Sequence, residues 1–343
     1  METLHYKFTE PSKLVASFDL DGTLIRTKSG KRFAKDKDDY KYSFDNVIEK
    51  LHNLMENGYK IVIFTNQKGI SMNKVSKTDI INKIEKLFPF ADYFIACNDD
   101  VYRKPMIGMY EKFIKLNCEY EDMFYVGDAA GRKGDHSYAD INFAYNAGLK
   151  FYTENEFFLD INENCSPVKP QISLITNKIS DLRKYTNNVV LIMQGFPGSG
   201  KTTFIKKYIK YNNIEDYVYL SNDDYSKSKM MKLYKKGIQN DKLIFIDNLN
   251  TVKKNRNEFI KLLPEHYSAI GIHIKTPLEI SYLLNKQRYY ISNINKNYKG
   301  VVRSLLPKVV YHTYNKRYEK MEIDEGFHKV YEFMPDIKFK YYF

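Results

Sequence analysis

Leu14-Val15-Ala16-Ser17-Phe18-Asp19-Leu20-Asp21-Gly22-Thr23 sets an apolar run directly against two carboxylates and a glycine. The run has the length and character of a strand buried on both faces. In extended backbone alternate side chains share a face, so Asp19 and Asp21 aim at one site while Leu20 turns away. Gly22 permits the succeeding turn, and Thr23 can hydrogen-bond within it. Taken alone, this DxD also reads as a solvated loop or an Asx turn. The later strands of the chain, and the polar residues at their ends, decide between the two.

Val47, Ile48, Leu51, Leu54 and Met55 fall at helical spacing, with Gly58 as a natural stop. Ile61–Phe64, Asp92–Cys97 and Phe124–Val126 read as further strands, each with a polar cluster after it. Strands alternating with helices predict a parallel, doubly wound α/β sheet, whose ligands sit beyond the carboxyl ends of the strands. The clusters then converge. Thr65, Asn66 and Gln67 offer a hydroxyl and two amides, Lys104 a cation held before Pro105, and Asp128 another carboxylate. A nucleophilic acid, a hydroxyl, a lysine and a second acid make up a phosphoryl-transfer site working through an aspartyl-phosphate. Neighbouring carboxylates repel, so one keeps a proton unless a cation intervenes. That suits Asp19 as nucleophile, Asp21 as proton donor, and Mg²⁺ as the cation.

The order DLDGT, TNQ, KP, GD resembles the haloacid dehalogenase superfamily of phosphatases. The resemblance implies that Asp19 is nucleophile and metal ligand. It implies that Asp21 is general acid/base and lends its backbone carbonyl to the metal. Thr65 and Lys104, with Asn66 beside them, become the phosphate clamp, Asp128 the second metal carboxylate, and Asp135 a support for the metal's water shell. Roughly twenty residues separate Thr23 from the helix near Asp45, too few for a large cap domain. An open site suits the end of a polymer.

Gly195-Phe196-Pro197-Gly198-Ser199-Gly200-Lys201-Thr202 fits GxxxxGK[ST] between a strand, Val189–Met193, and a helical run from Phe204. Its backbone N–H groups and helix N-terminus suit the phosphates of ATP, with Pro197, Ser199 and Thr203 among the contacts. Lys201 is expected at the β- and γ-phosphates and Thr202 on Mg²⁺. Asp223 follows a strand one helix later and is a candidate base for an acceptor hydroxyl. Asp247, after Leu243–Ile246, is placed to hold a metal-bound water or orient the P-loop. Arg288, with Lys286 beside it, lies on a late helix able to close over the γ-phosphate.

FDLDGTLIRTKSG, GYKIVIFTNQKGI, YRKPMIGMYE, YVGDAAGR, GFPGSGKTTFIKK, IDNLN and LEISYLLNKQRY together resemble the polynucleotide kinase 3′-phosphatase family, from Val15 onward. The resemblance implies removal of a DNA 3′-phosphate and ATP-dependent phosphorylation of a 5′-hydroxyl. RNA ends share the same phosphate chemistry and are the alternative substrate. It also implies Asp223 as kinase base and Arg288 as lid arginine. Asn222 and Ser226 stand where phage relatives carry arginines. The animal members begin with a forkhead-associated domain, which the expectation for this chain omits.

The expected architecture is a haloacid dehalogenase-like phosphatase over 1–163, a linker over 164–187 and a P-loop kinase over 188–343, both domains doubly wound. The composition agrees. A chain of 343 residues permits two cores, and 43% apolar with 28% charged residues excludes a largely disordered chain. No apolar run approaches the ~18 residues of a membrane span, and no signal peptide is evident. Three cysteines without a CxxC pair predict free thiols in a reducing, intracellular compartment: nucleus, cytoplasm or viral factory. The seven histidines show no zinc spacing. The net charge of +12 is unevenly spread: residues 1–200 carry 27 basic and 27 acidic side chains, so the whole excess lies downstream. The second domain is therefore expected to carry most of the affinity for a polyanion.

Overall fold

The computed structural model describes residues 3–167, 180, 182–294, 305–335, 337 and 339–342. These divide into two compact units, one of residues 3–167 with 293–294 and 340–342, the other of 180, 182–292 and the described residues from 305 to 339.

The first unit opens with β1 (Leu4–Lys7), β2 (Leu14–Phe18), and a small hairpin of β3 (Ile25–Arg26) and β4 (Lys41–Tyr42). Then come α1 (Val47–Glu56), β5 (Lys60–Asn66), α2 (Lys77–Leu87), β6 (Asp92–Ala96) and α3 (Gly108–Asn117). β7 (Asp122–Gly127), α4 (Ala139–Ala147), β8 (Lys150–Thr153) and α5 (Glu154–Leu159) complete it. The sheet order is β1-β6-β5-β2-β7-β8. All pairs are parallel except β1 with β6. β2, β5 and β7 lie at the centre, so Asp19, Thr65 and Asp128 emerge side by side at their carboxyl ends. Both faces of β2 are buried, which is why its sequence runs apolar without alternation. Ala16, Phe18, Ile61 and Ile63 pack under α1 and α2, with Phe158 of α5 closing the layer. α5 starts in a capping box between Thr153 and Glu156.

The second unit holds β9 (Val189–Gln194), α6 (Lys201–Tyr211), β10 (Tyr217–Leu220), α7 (Lys227–Gln239) and β11 (Leu243–Ile246). After them come α8 (Lys253–Ile260), β12 (Ser268–Ile274), α9 (Leu278–Ile294), α10 (Lys308–Arg317) and β13 (Lys329–Phe333). Its sheet is wholly parallel, in the order β10-β11-β9-β12-β13. Strand alternation splits the core: Leu191, Met193 and Phe245 face α6, while Val190, Ile192, Ile244 and Ile246 face α7 and α8. Two doubly wound sheets are the architecture expected, with one antiparallel edge added to the first.

Residues 168–179 and 181 of the expected linker lie outside the described residues. Of the rest, Leu182 and Tyr185 pack into the second unit's core beside Val189 and Leu191. The second domain is expected to run to 343, yet 340–342 cluster with the first unit. There the Tyr342 ring stacks on Tyr145 at 4.6 Å and its backbone N–H and C=O both bond to Asn146.

Candidate functional site

In the first unit the strand ends bring together a buried acid–base cluster. Asp19 ends β2 with 7% exposure, Lys104 is 4% exposed, and their charged atoms lie 2.5 Å apart. Lys104 Nζ also reaches Asp140 at 2.8 Å and donates to the Tyr125 hydroxyl at 2.6 Å. Tyr125 donates onward to Asp140, whose other oxygen accepts from the Ala129 N–H. Burial pulls the Lys104 ammonium down, but Asp140 and Asp19 outweigh it and hold the pKa above its usual value. The anchoring matters because a lone buried ammonium is costly and a two-carboxylate cradle fixes its aim.

Asp19, Asp128 and Asp140 each offer an oxygen within 4.8 Å of the others. Burial first, then the neighbouring carboxylates, raise Asp19 to about 7 and Asp128 to about 9. Such a cluster either holds protons or takes a cation, and an all-oxygen carboxylate set suits a hard divalent ion. Gly22 makes the approach possible: its φ is +100°, and a Cβ there would lie 2.3 Å from an Asp128 oxygen.

Asp21 is exposed, at the rim of the cluster, where Gln67 donates to its carboxylate at 2.6 Å and to Thr65 Oγ1 at 3.0 Å. Thr65 is buried at the end of β5. Asn66 engages the Lys104 backbone with both ends of its amide, so its link to a bound phosphate runs through that lysine. On the other side the Pro105 carbonyl accepts from Asn146. Asp135, expected near a metal's water shell, has its carboxylate engaged by Arg132 and by the Ala130 and Arg132 N–H groups. It shapes the loop after Asp128, and Asp140 stands in the acidic cluster in its stead. Arg132 completes that loop by donating to the Asp128 carbonyl at 2.8 Å while paired with Glu154 and Glu163.

In the second unit Gly195–Thr202 wraps the start of α6. Lys201 is 8% exposed and donates to the Gly195 and Phe196 carbonyls, each at 2.9 Å. Burial lowers its pKa to about 8, with Asp247 and Asp223 opposing and Arg288 adding to the fall. The three groups expected around the P-loop thus all act electrically on its lysine. Gly198 has φ of +74°, and a Cβ there would sit 2.7 Å from the Ser281 carbonyl, so α9 packs directly on the loop's backbone. Thr202 and Tyr219 both donate to Asp247 Oδ2, at 2.5 and 2.6 Å. Pro197 and Ser199 are buried in the loop, Gly200 caps α6, and Thr203 faces outward, exposed.

Asp223 is exposed after β10, its N–H bonded to Ser221 Oγ. Asn248 accepts from the Asn222 N–H at 2.8 Å and so ties the Asp223 turn to the end of β11. Ser226 caps α7, its side chain accepting from the Lys229 N–H. Arg288 is half-buried on α9, and Lys286 lies over the Tyr282 ring at 5.6 Å. Tyr125, Asp140 and Asn248 are the contributors sequence reasoning missed, and Gln67, read there only as an amide after β5, gains its role through Asp21 and Thr65. Asp140 left one signal, an acid amid the apolar run Ala139-Asp140-Ile141-Asn142-Phe143-Ala144.

Comparison with known proteins adds a separate line. The profile of the family "Polynucleotide kinase 3 phosphatase" matches residues 14–158. Over 342 residues the chain is 34% identical to the "Bifunctional polynucleotide phosphatase/kinase" of Schizosaccharomyces pombe, covering 95% of this chain and 80% of that protein. It is 30% identical to the "Putative bifunctional polynucleotide phosphatase/kinase" of Acanthamoeba polyphaga mimivirus, covering 92% and 83%. Over 171 residues it is 39% identical to "Polynucleotide 3'-phosphatase ZDP" of Arabidopsis thaliana, covering 43% of this chain and 24% of that protein.

Proposed function

The chain belongs to the bifunctional polynucleotide phosphatase/kinase family, and from that membership we propose that it prepares DNA ends, removing 3′-phosphates in its first unit and phosphorylating 5′-hydroxyls from ATP in its second. One observation carries the reading: a buried Asp19–Lys104 pair at 2.5 Å beside Asp128 is joined in one chain to a P-loop whose Lys201 feels Asp223, Asp247 and Arg288.

In the phosphatase, Asp19 attacks the phosphorus of the 3′-phosphate and Asp21 gives a proton to the leaving 3′-oxygen. Asp21 then takes a proton from the water that attacks the aspartyl-phosphate, releasing inorganic phosphate and restoring Asp19. Thr65 and Lys104 hold the phosphoryl oxygens, and Asp140 with Tyr125 keeps Lys104 aimed at them. Asp19, the Asp21 carbonyl and Asp128 would hold Mg²⁺. When bound, Mg²⁺ neutralises charge between Asp19 and the phosphate dianion.

In the kinase, Asp223 accepts the proton of the 5′-hydroxyl as its oxygen attacks the γ-phosphorus and ADP leaves. Lys201 and Arg288 stabilise charge on the transferring group, and Thr202, oriented by Asp247, would hold the nucleotide's Mg²⁺. Assays on 3′-phosphate and 5′-hydroxyl oligonucleotides test both halves, and competition between matched DNA and RNA ends tests the substrate. A strong preference for RNA would replace DNA in the proposal.

The cluster gives a pH-dependent expectation. Without a cation, the protons on Asp19 and Asp128 persist up to about 7 and about 9. Mg²⁺ must displace them, so its affinity should rise with pH through that window, with on the order of one proton released per ion at neutrality. Calorimetry of Mg²⁺ binding in two buffers of different ionisation enthalpy measures this. Equal heats would remove Mg²⁺ from the Asp19–Asp128 site.

The charge distribution gives another. With the +12 excess downstream of residue 200, a duplex footprint of about five phosphates predicts a log affinity falling with log salt at a slope near −4 to −5. A flat response would separate the basic residues from nucleic-acid binding.

A further inference from the structure

The hydroxyl of Tyr311 is buried without a hydrogen-bond partner among the described residues, and the residue is fully inaccessible to solvent. Three other buried tyrosines of the second unit are bonded, while Tyr314, also on α10, shares the unpartnered state. Tyr208 donates to the Arg183 carbonyl, Tyr234 to that of Phe259, and Tyr267 to that of Lys242. A buried hydroxyl left unbonded costs about 1–3 kcal/mol, and phenylalanine would fill the same space without that cost. A tyrosine here therefore calls for a partner that the described residues do not supply.

Its surroundings say which. Tyr311, on α10, stacks on Phe196 at 6.3 Å and 25°, and Phe196 is the P-loop residue whose carbonyl accepts from Lys201. Its ring meets the edge of Tyr282, on α9, at 5.4 Å. Arg288 stands further along that helix, near enough for its charge to oppose the effect of burial on Tyr311. Asn285, between them on α9, packs against Gly198. Its Nδ2 and the P-loop's Ser199 Oγ are likewise buried and unpartnered among the described residues. With the Tyr314 hydroxyl, whose ring packs on Phe196 at 4.5 Å, four unbonded polar atoms thus lie in or beside the loop that would cradle a triphosphate. We propose that the Tyr311 hydroxyl is a catalytic donor of the kinase, bonding to an oxygen of the phosphoryl group as it moves from ATP to the 5′-hydroxyl. In that step the 5′-oxygen bonds to the γ-phosphorus, the bond to the β,γ-bridging oxygen breaks, and the proton passes to Asp223. Tyr311 keeps its own proton throughout.

The inference rests on the kinase reading above, and Tyr311→Phe in the full chain tests it. The kinase kcat should fall about tenfold with KM for ATP held within about twofold, the pattern of a bond made in the transition state. The 3′-phosphatase rate should stay unchanged, and the thermal midpoint should hold or rise. Tyr234→Phe, which deletes a bonded hydroxyl, should do the opposite: lower the midpoint and spare kcat. A Tyr311→Phe enzyme with wild-type kcat would overturn the proposal, as would a rise in KM for ATP alone. Absence of kinase activity in the wild-type chain would instead overturn the kinase reading, and the proposal with it.

Discussion

Asp19→Asn should remove 3′-phosphatase activity, by at least about 10³-fold in kcat, and leave the 5′-kinase rate unchanged. The asparagine is nearly isosteric but its amide cannot attack phosphorus, so the covalent step has no nucleophile. The fold should survive for a reason visible in the cluster. Lys104 keeps its second carboxylate, Asp140, at 2.8 Å, and its bond to Tyr125 at 2.6 Å. Removing the Asp19 charge also relieves repulsion that raises Asp128. The metal-free thermal midpoint should therefore hold or rise while phosphatase activity disappears. Rates on a 3′-phosphate and a 5′-hydroxyl oligonucleotide, taken beside a melting curve, check all three. Loss of both activities would count against independent sites, and retained phosphatase activity would move the nucleophile elsewhere.

That prediction is readable from the chain because its residues sit at ends of buried parallel strands. β2 and β11 are continuous apolar runs, and both are found where the sequence places them. Each announces its functional acid by stopping. β1 escaped because it is four half-exposed residues pairing antiparallel at an edge, where no continuous apolar run is required. β12 contains Gly271 and His273 within Ser268–Ile274 and so lacks an unbroken run. The missed site residues share a different cause. Asp140 acts on a lysine 36 positions earlier, and Asn248 on a turn 26 positions earlier. Each contact is made by tertiary placement of a helix or loop, which local spacing does not encode. Asp135, expected to support a metal's water shell, has Arg132 and loop N–H groups as its partners, contacts that its spacing from Asp128 does not announce. Strand-end chemistry is local and legible. The shell that aims it is not.

Lys201→Ala should do the reverse of Asp19→Asn, lowering kinase kcat/KM by on the order of 10²–10³-fold or more while sparing the phosphatase. Lys201 is buried, and desolvation lowers its pKa to about 8, so the free enzyme holds a cation in a setting that disfavours charge. Two backbone carbonyls of the loop, from Gly195 and Phe196, are its hydrogen-bond acceptors in that state. An arriving triphosphate offers far stronger acceptors at the same mouth, so the lysine's full electrostatic stabilisation appears only with substrate bound. Alanine removes that gain and leaves Asp247 bonded to Thr202 and Tyr219, which keeps the end of β11 in place. The loss should therefore fall on the kinase reaction rather than on folding, which a melting curve run beside both end-labelling assays can verify. A kinase rate within tenfold of wild type would mean that the loop's backbone and Arg288 suffice, and Lys201 would lose its assigned place at the β- and γ-phosphates.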